Sequence, residues 1–380
     1  MKQHRERILV AMSGGVDSSV AAALLVEAGH EVVGATMRTF CYASAVREAT
    51  GSGASTAPPR GMAKTCCGLD GILDARTVAR HLGVEHHVFD VEEEFTRDVI
   101  DDFVTEYARG RTPNPCVRCN SFTKFRDLFR RASALGCTAI ASGHYARVRR
   151  SAAGVSLHRG ADRAKDQAYF LWGLPTALLE RLRLPLGPLE KSEVRGRARS
   201  LGLRTADKAE SQEICFVPTG DYRDLLRRRL PRSHPALQPG PLVSVDGVSL
   251  GRHGGYAGFT VGQRKGLGGG FDGPVFVVAI HPDTRAVVVG PREALFAEAV
   301  EVEEVRWLGD VPRPGRPFTV QLRHRAPDVP ASVERVEAGR VLLGLSEPQA
   351  AVTPGQSAVM FDGDRVLGGG RIAGSIHSLS

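Results

Sequence analysis

Five consecutive apolar residues, Ile8 to Met12 (ILVAM), stop at Ser13 and two glycines, after which the chain turns rich in alanine and leucine as far as Gly29. A short strand buried on both faces reads as an unbroken apolar run. The glycines call for a tight loop, the Ala/Leu stretch for a helix with a glycine past its C-terminus, and Val32 to Met37 for a second strand. The pattern repeats: LDGILDARTVARHLG predicts a helix closed by Gly83, VEHHVFDV a strand, EFTRDVIDDFVTEYARG a helix and CTAIASGHYARV another strand. Strands alternating with helices of this length predict an α/β fold, a doubly wound, mostly parallel sheet with ligands beyond the carboxyl ends of its strands.

The loop after the first strand, SGGVDSS, has the parts of a phosphate site. Gly14 and Gly15 let backbone amides approach an anion, the hydroxyls of Ser13, Ser18 and Ser19 can donate to it, and the helix N-terminus adds partial positive charge. Asp17 repels a bare phosphate but can hold Mg²⁺ beside a pyrophosphate. The loop lacks the Gly-Lys-Ser/Thr of a Walker A motif and the GxGxxG of dinucleotide folds. An ordinary Gly-Ser turn is the plainer reading, and the position directly after an apolar strand argues against it.

At 380 residues the chain exceeds what one core serves. The pattern changes after Pro218, where a short basic helix (TGDYRDLLRRRLP) leads into Gly- and Pro-rich β-like pieces, and again near residue 293, where short alternating strands carry an Asp-Gly turn at Asp362 and Gly363. We therefore divide it into residues 1–217, an α/β nucleotide domain, 218–292, a small central β-rich domain, and 293–380, a C-terminal β-barrel. Gln263, Arg264 and Lys265 suit phosphates or a solvated turn equally well.

The formal charge is +8, and 43 of the 50 basic residues are arginine. Arginine forks suit phosphates and stacked bases, which points to RNA, although codon bias produces the same composition. No apolar run approaches the roughly 20 residues that span a bilayer, and ILVAM is too short for a signal-peptide core. These features predict a cytoplasmic protein with no membrane partner. Structural disulfides are uncommon there, so the seven cysteines are expected to be buried, metal-binding or catalytic. Cys116 and Cys119 sit three apart in RTPNPCVRCNSFTKF, which two prolines hold as a loop. Cys215, between Ile214 and Phe216, reads unaided as a cysteine in an apolar strand, and Cys137 as core. Cys66 and Cys67 are adjacent, a poor spacing for one metal, and Cys41 opens a polar stretch, residues 41 to 65, that reads as a flexible loop. A zinc site from Cys41, this pair and Cys116 is the weaker alternative.

SGGVDSS resembles the PP-loop of the ATP pyrophosphatases. TPNPCVRCN, ASGHYARV, KDQAYFLWGL, ESQEICFVPTGDY and FTVGQRKGLG, in this order between about residues 8 and 372, closely resemble segments of the tRNA-specific 2-thiouridylase family. The resemblance implies ATP and Mg²⁺ as co-reactants, with ATP against Ala11, Met12, Ser13, Gly14, Gly15, Val16, Asp17, Ser18, Met37 and Gly143 and the Mg²⁺ near Asp17. It implies that Asn114, Pro115 and Cys116 surround the target uracil of a tRNA anticodon loop, and that Lys165, Asp166, Gln167, Arg323 and His324 contact the tRNA. Cys119 matches the family's nucleophile and Cys215 its persulfide carrier, fed by a sulfur-carrier protein or a cysteine desulfurase relay. Many members carry Asp where this chain has Cys116. Two arrangements therefore stay open, a redox pair of Cys119 with Cys215, or Cys116, Cys119 and Cys215 as three ligands of a [4Fe-4S] cluster with one open iron. Another PP-loop enzyme acting on a small molecule, or a zinc-stabilised RNA-binding module, explains fewer of these segments.

Overall fold

The computed structural model describes residues 5–39, 69–209, 214–217, 220–268, 271 and 273–377. Cys41, Cys66, Cys67 and the stretch 41–65 lie outside the described residues. The chain forms two compact units, Met1–Val99 with Cys116–Asp221, and Ile100–Pro115 with Tyr222–Ser380.

The first unit contains β1 (Arg7–Ala11), β2 (Glu31–Arg38), β3 (Glu85–Asp90), β4 (Ala139–Ser142), the antiparallel hairpin β5 (Ala146–Ser151) and β6 (Gly154–Arg159), and β7 (Leu182–Arg183). Five of them form a parallel sheet in the order β3-β2-β1-β4-β7. The apolar run behaves as expected: Ile8, Leu9 and Val10 are fully buried. Ile8 and Val10 share a core with Val20 of helix Val16–Glu27, Val78 of helix Leu69–His81 and Val194 of helix Lys191–Ser200. Helix Phe125–Ala134 also packs on β1 and β4. Each such buried aliphatic side chain contributes about 1.5–3 kcal/mol. Gly29 and Gly83 follow their helices at positive φ, 82° and 66°, the left-handed turn that a side chain resists.

Three segments differ from the sequence expectation. CTAIASGHYARV is not one strand: it is β4 and the start of β5, parted by residues 143–145 and lying in different sheets. EFTRDVIDDFVTEYARG is not one α-helix. It is a short α-turn, Glu92–Phe95, a π-helical turn, Thr96–Ile100, and a second α-helix, Asp101–Ala108. The extra residue of the π turn shifts the apolar face, so Phe95 and Val99 are buried in one unit and Phe103 and Tyr107 in the other. RTPNPCVRCNSFTKF is not held as a loop either. Pro115 begins helix Pro115–Arg118, which runs into a π-helical turn, Cys119–Lys124, and on into helix Phe125–Ala134. Proline is tolerated at the first helical position because its missing N–H has no intrahelical partner there.

The second unit contains β8 (Gly240–Ser244), β9 (Ser249–His253), β10 (Phe276–His281) and β11 (Ala286–Gly290), ordered β10-β11-β8-β9. It continues with β12 (Phe296–Trp307), β13 (Phe318–Gln321), β14 (Val329–Glu337), β15 (Arg340–Ala350), β16 (Ser357–Asp362) and β17 (Arg365–Ile376). These six run β12-β15-β14-β13-β16-β17, and β17 pairs back onto β12, closing a barrel around Val300, Val320, Leu343, Met360 and Ile372. The β16–β17 hairpin turns on Gly363 and Asp364, one residue later than the sequence suggests, because Asp362 still pairs with Arg365 and only Gly363 takes a positive φ, 56°.

Candidate active site

The strand order reverses between β1 and β4, the place where an open parallel sheet presents its ligand crevice. Ser13 to Gly15 leave the carboxyl end of β1, and Gly143 follows β4. The two loops meet backbone to backbone: a Cβ on Gly143 would lie 2.7 Å from the Asp17 carbonyl carbon and the Ser18 nitrogen. Gly14 is needed twice over, for its φ of 70° and because a Cβ would fall 2.1 Å from the Gly71 carbonyl oxygen. Gly15 caps helix Val16–Glu27 and has no side chain to occupy its first-turn amides, the groups by which a helix N-terminus can hold an anion. The hydroxyls of Ser18 and Ser19 donate to the Gly15 carbonyl (3.2 and 2.8 Å), and the Ser13 amide donates to Ser18 Oγ (3.1 Å). These serines brace the loop.

Sequence reasoning missed the cations here. Lys191 Nζ donates to both Asp17 oxygens (2.7 and 2.8 Å), and the Tyr145 hydroxyl donates to Asp17 Oδ1 (2.8 Å). Lys208 Nζ donates to the Gly14 carbonyl (2.9 Å) and to Asp74 Oδ2 (2.6 Å). A signal existed for Lys191. It begins helix Lys191–Ser200, where Glu190 and Glu193 form a capping box. A cation at a helix N-terminus opposes the helix dipole, so a lysine there asks for a partner elsewhere. Asp17 is that partner, and its two oxygens are already taken. The residues do not fit a Mg²⁺ at Asp17 in this arrangement, and no step is derived through one.

Beside the loop, β1 ends at Ala11 opposite Ala35, and β2 runs on through Met37, which pairs with Phe89 of β3. The Thr36 hydroxyl donates to the Met12 carbonyl (2.7 Å), so it must accept from His86 Nε2 (2.9 Å). That assignment makes His86 the neutral Nε2–H tautomer. Burial, helped by Arg76 and His87, lowers its pKa to about 4. On the other side, His144 is buried, accepts or donates at Ser142 Oγ (2.8 Å) and lies against Phe125 (5.5 Å). Burial drives its pKa well below the ordinary value.

Cys116 is exposed, Cys119 and Cys215 are half-buried, and Cys137 is buried with its thiol pKa raised by that burial. Cys119 opens the π-helical turn, a distortion that recurs at functional sites. Cys116 and Cys119, one helical turn apart, share a face. Cys215 lies on a turn, closed by a Val217 amide to Ile214 carbonyl bond of 2.9 Å, and not on a strand. Among the described residues no group of three histidine, cysteine or carboxylate side chains comes together as metal ligands. No step below is routed through a cluster.

The other expected contacts sit as follows. Lys165 is half-buried, while Asp166 turns inward to Arg159 (3.0 Å) and to the Gly160 and Ala168 amides (2.9 and 3.1 Å), and Gln167 accepts from the Tyr145 amide (3.0 Å). Arg323 is exposed and His324 half-buried on the turn after β13. Gln263 closes its own turn, accepting from the Thr260 amide and donating to the Lys265 carbonyl, while Arg264 and Lys265 are exposed. Among the described residues no helix is long and apolar enough to cross a membrane.

Comparison with known proteins bears on what this arrangement serves. A tRNA methyl transferase HUP domain model matches residues 6–219, a tRNA methyl transferase PRC-barrel domain model residues 224–291, and an aminomethyltransferase beta-barrel domain model residues 297–372. The tRNA-specific 2-thiouridylase MnmA of Rhodospirillum centenum is 48% identical over 375 residues, covering 96% of this chain and 91% of the relative. MnmA of Magnetococcus marinus is 44% identical over 370 residues, covering 97% and 99%, and that of Chloroflexus aggregans 48% identical over 370 residues, covering 96% and 98%. A solved 4-thiouridine synthetase–RNA complex with bound ATP aligns over 60% of this chain and 51% of that one, at 16% identity and a TM-score of 0.33, too slight a likeness to carry argument. With its parallel sheet, its phosphate-type loop and its closed barrel matched along nearly the whole length, the chain belongs to the MnmA family of tRNA-specific 2-thiouridylases.

Proposed function

We propose that this enzyme thiolates a tRNA uridine at C2 at the expense of ATP. The observation that carries the reading is the Gly14–Gly15 loop at the sheet's switch point, flanked by Lys191 and Lys208, in the same unit as Cys119 and Cys215. Replacing the uracil C2 oxygen faces a poor leaving group on a deactivated carbonyl. ATP overcomes this when O2 attacks the α-phosphorus, the α–β phosphoanhydride bond breaks and pyrophosphate departs. The loop amides and the two ammonium groups neutralise the charge that develops on it. O2 then leaves C2 as AMP.

Sulfur arrives as a persulfide on Cys215, delivered by a carrier protein or a desulfurase. Its terminal sulfur attacks C2 and displaces AMP. The Cys119 thiolate next attacks Cys215 Sγ, which breaks the S–S bond, leaves the terminal sulfur on C2 and forms a Cys119–Cys215 disulfide that a dithiol reductant must reopen. Asn114 and Pro115 flank the extruded base, and the basic surface, including Arg323 and Lys165, holds the anticodon loop and stem. An unpaired loop base is cheaper to extrude than one in a duplex. The three-part division at residues 217 and 292 belongs to this reading.

The test is nucleoside mass spectrometry of tRNA after incubation with ATP and a persulfide donor. The reading expects 2-thiouridine and one pyrophosphate per thiolation, loss of product in Cys119→Ser and Cys215→Ser, and tRNA binding that weakens steeply between low and moderate salt. Retained thiolation in Cys215→Ser would remove the persulfide scheme. Methyl transfer from S-adenosylmethionine without ATP cleavage would replace the whole reading.

A further inference from the structure

Residues 100–115 belong to the second unit although they lie within the span matched by the first family model. What ties them there is a buried charge cluster. Arg371 of β17, 9% exposed at its side chain, reaches Asp102 Oδ1 and Glu106 Oε2, both at 2.9 Å, and Glu106 is 2% exposed. Arg111 approaches the same Glu106 oxygen at 3.0 Å, donates to Glu303 Oε1 (2.6 Å) and donates to the Ile372 carbonyl (3.1 Å). A bulge in β12 sets Glu304 at a φ of 52° with its Oε1 3.7 Å from Arg371 Nε. The approaches to Glu106 Oε2 lie at ion-pair distance without hydrogen-bond alignment, so Coulomb attraction in a dry setting holds them.

The barrel then grips the next residues through their backbone. The Thr112 amide donates to the Pro354 carbonyl (2.8 Å), and Gln356 Nε2 donates to the carbonyls of Thr112 (2.9 Å) and Pro113 (3.3 Å). Gly355, at a φ of 92°, approaches so closely that a Cβ would lie 2.8 Å from the Thr112 carbonyl carbon. Fixing residues 111–113 fixes Asn114 and Pro115, and Pro115 is the first residue of the helix that carries Cys116 and leads into Cys119.

We propose that Arg371 is a positioning residue for thiolation, acting through Glu106, Asp102 and the Gln356-clamped segment 111–113 to hold Asn114 and Pro115 against the target base. This rests on the function proposed above. Arg371 touches no reacting atom; it fixes the backbone of residues 111–113 and through them Asn114 and Pro115. Misplacing such a segment by about 1 Å costs on the order of 10²-fold in rate.

Three full-length variants test it: Arg371→Lys, which keeps the charge and loses the fork; Gln356→Met, which removes the clamp and leaves no buried charge; and Arg371→Met with Glu106→Gln, which lowers the charge on both sides. Each is assayed at a temperature where circular dichroism reports it folded, with kcat for 2-thiouridine formation, KM for ATP and tRNA affinity measured separately. We expect kcat to fall about 10-fold in Gln356→Met and about 10²-fold in the double variant, with partial recovery in Arg371→Lys and with ATP KM and tRNA affinity within twofold of the parent. Unchanged kcat in the folded double variant overturns the proposal, and so does a loss of tRNA affinity that accounts for the whole effect. A parent enzyme that makes no 2-thiouridine would instead sink the functional reading, so the two failures are distinguishable.

Discussion

Two charge clusters hold this molecule's important segments, and they are built oppositely. Asp17, Lys191 and Tyr145 lie at a helix end, where Lys191 is buried but Asp17 is about one-third exposed, its oxygens held by one ammonium group and one phenol hydroxyl. Arg371, Glu106 and Asp102 are dry, and their charges have no exit. A carboxylate left partly in water loses little when its partner is removed, whereas one that is fully buried is costly to leave unpaired. The first suits a site that must accept and release an anion, the second a strut.

The largest expected effect breaks the strut. Arg371→Met should cost about 3–5 kcal/mol, because Asp102 loses its cation and Glu106 keeps only Arg111; urea unfolding followed by tryptophan fluorescence measures it, and a loss below about 1 kcal/mol would put the two clusters in one class. Lys191→Met should do the reverse. Thiolation should fall about 10²–10³-fold, as when a preorganised charge partner of the transition state is removed, while the unfolding midpoint barely moves. Gly14→Ala sharpens the same contrast at the backbone. The left-handed φ and the collision with the Gly71 carbonyl should cost about 2–4 kcal/mol together, whereas Gly15→Ala, with a Cβ no nearer than 3.5 Å to Ser13 Oγ, should be mild.

The smallest effect is a pH effect. His86 has a folded pKa of about 4 against an ordinary 6.5. Between those values the unfolded chain binds the extra proton, so stability is full above about pH 6.5 and drains away as pH falls toward 4. For a half-buried ring we expect about 2 kcal/mol, discounted for solvent screening. His86→Gln should flatten that stretch of the stability profile; an unchanged slope would assign it to other groups.

What the sequence reveals follows from range. The strand, the Gly-Gly loop, the helix and its closing Gly29 are readable because each is set by neighbours a few residues away. Lys191 and Lys208 are not readable, because they reach the loop from 174 and 194 residues along the chain. The Cys119 helix was hidden by its prolines, since proline at the first helical position and proline in a loop look alike on paper. The assignment of residues 100–115 to the second unit was hidden by helical continuity: nothing in EFTRDVIDDFVTEYARG announces that its charged face at Asp102 and Glu106 awaits an arginine near the chain's end.

That last feature governs the order of assembly on the ribosome. Asp102 and Arg371 are separated by 269 residues, so at synthesis rates of about 5–20 residues per second the segment bearing Glu106 is made on the order of 10–50 s before its partner strand exists. Until then Asp102 and Glu106 lack the arginine that pairs with them, although Phe103 and Tyr107 can already pack on Tyr222. A ribosome stalled between the two would display an unfinished segment next to the thiol-bearing helix, and shortening the chain before β17 should leave a protein that chaperones hold rather than a smaller working enzyme.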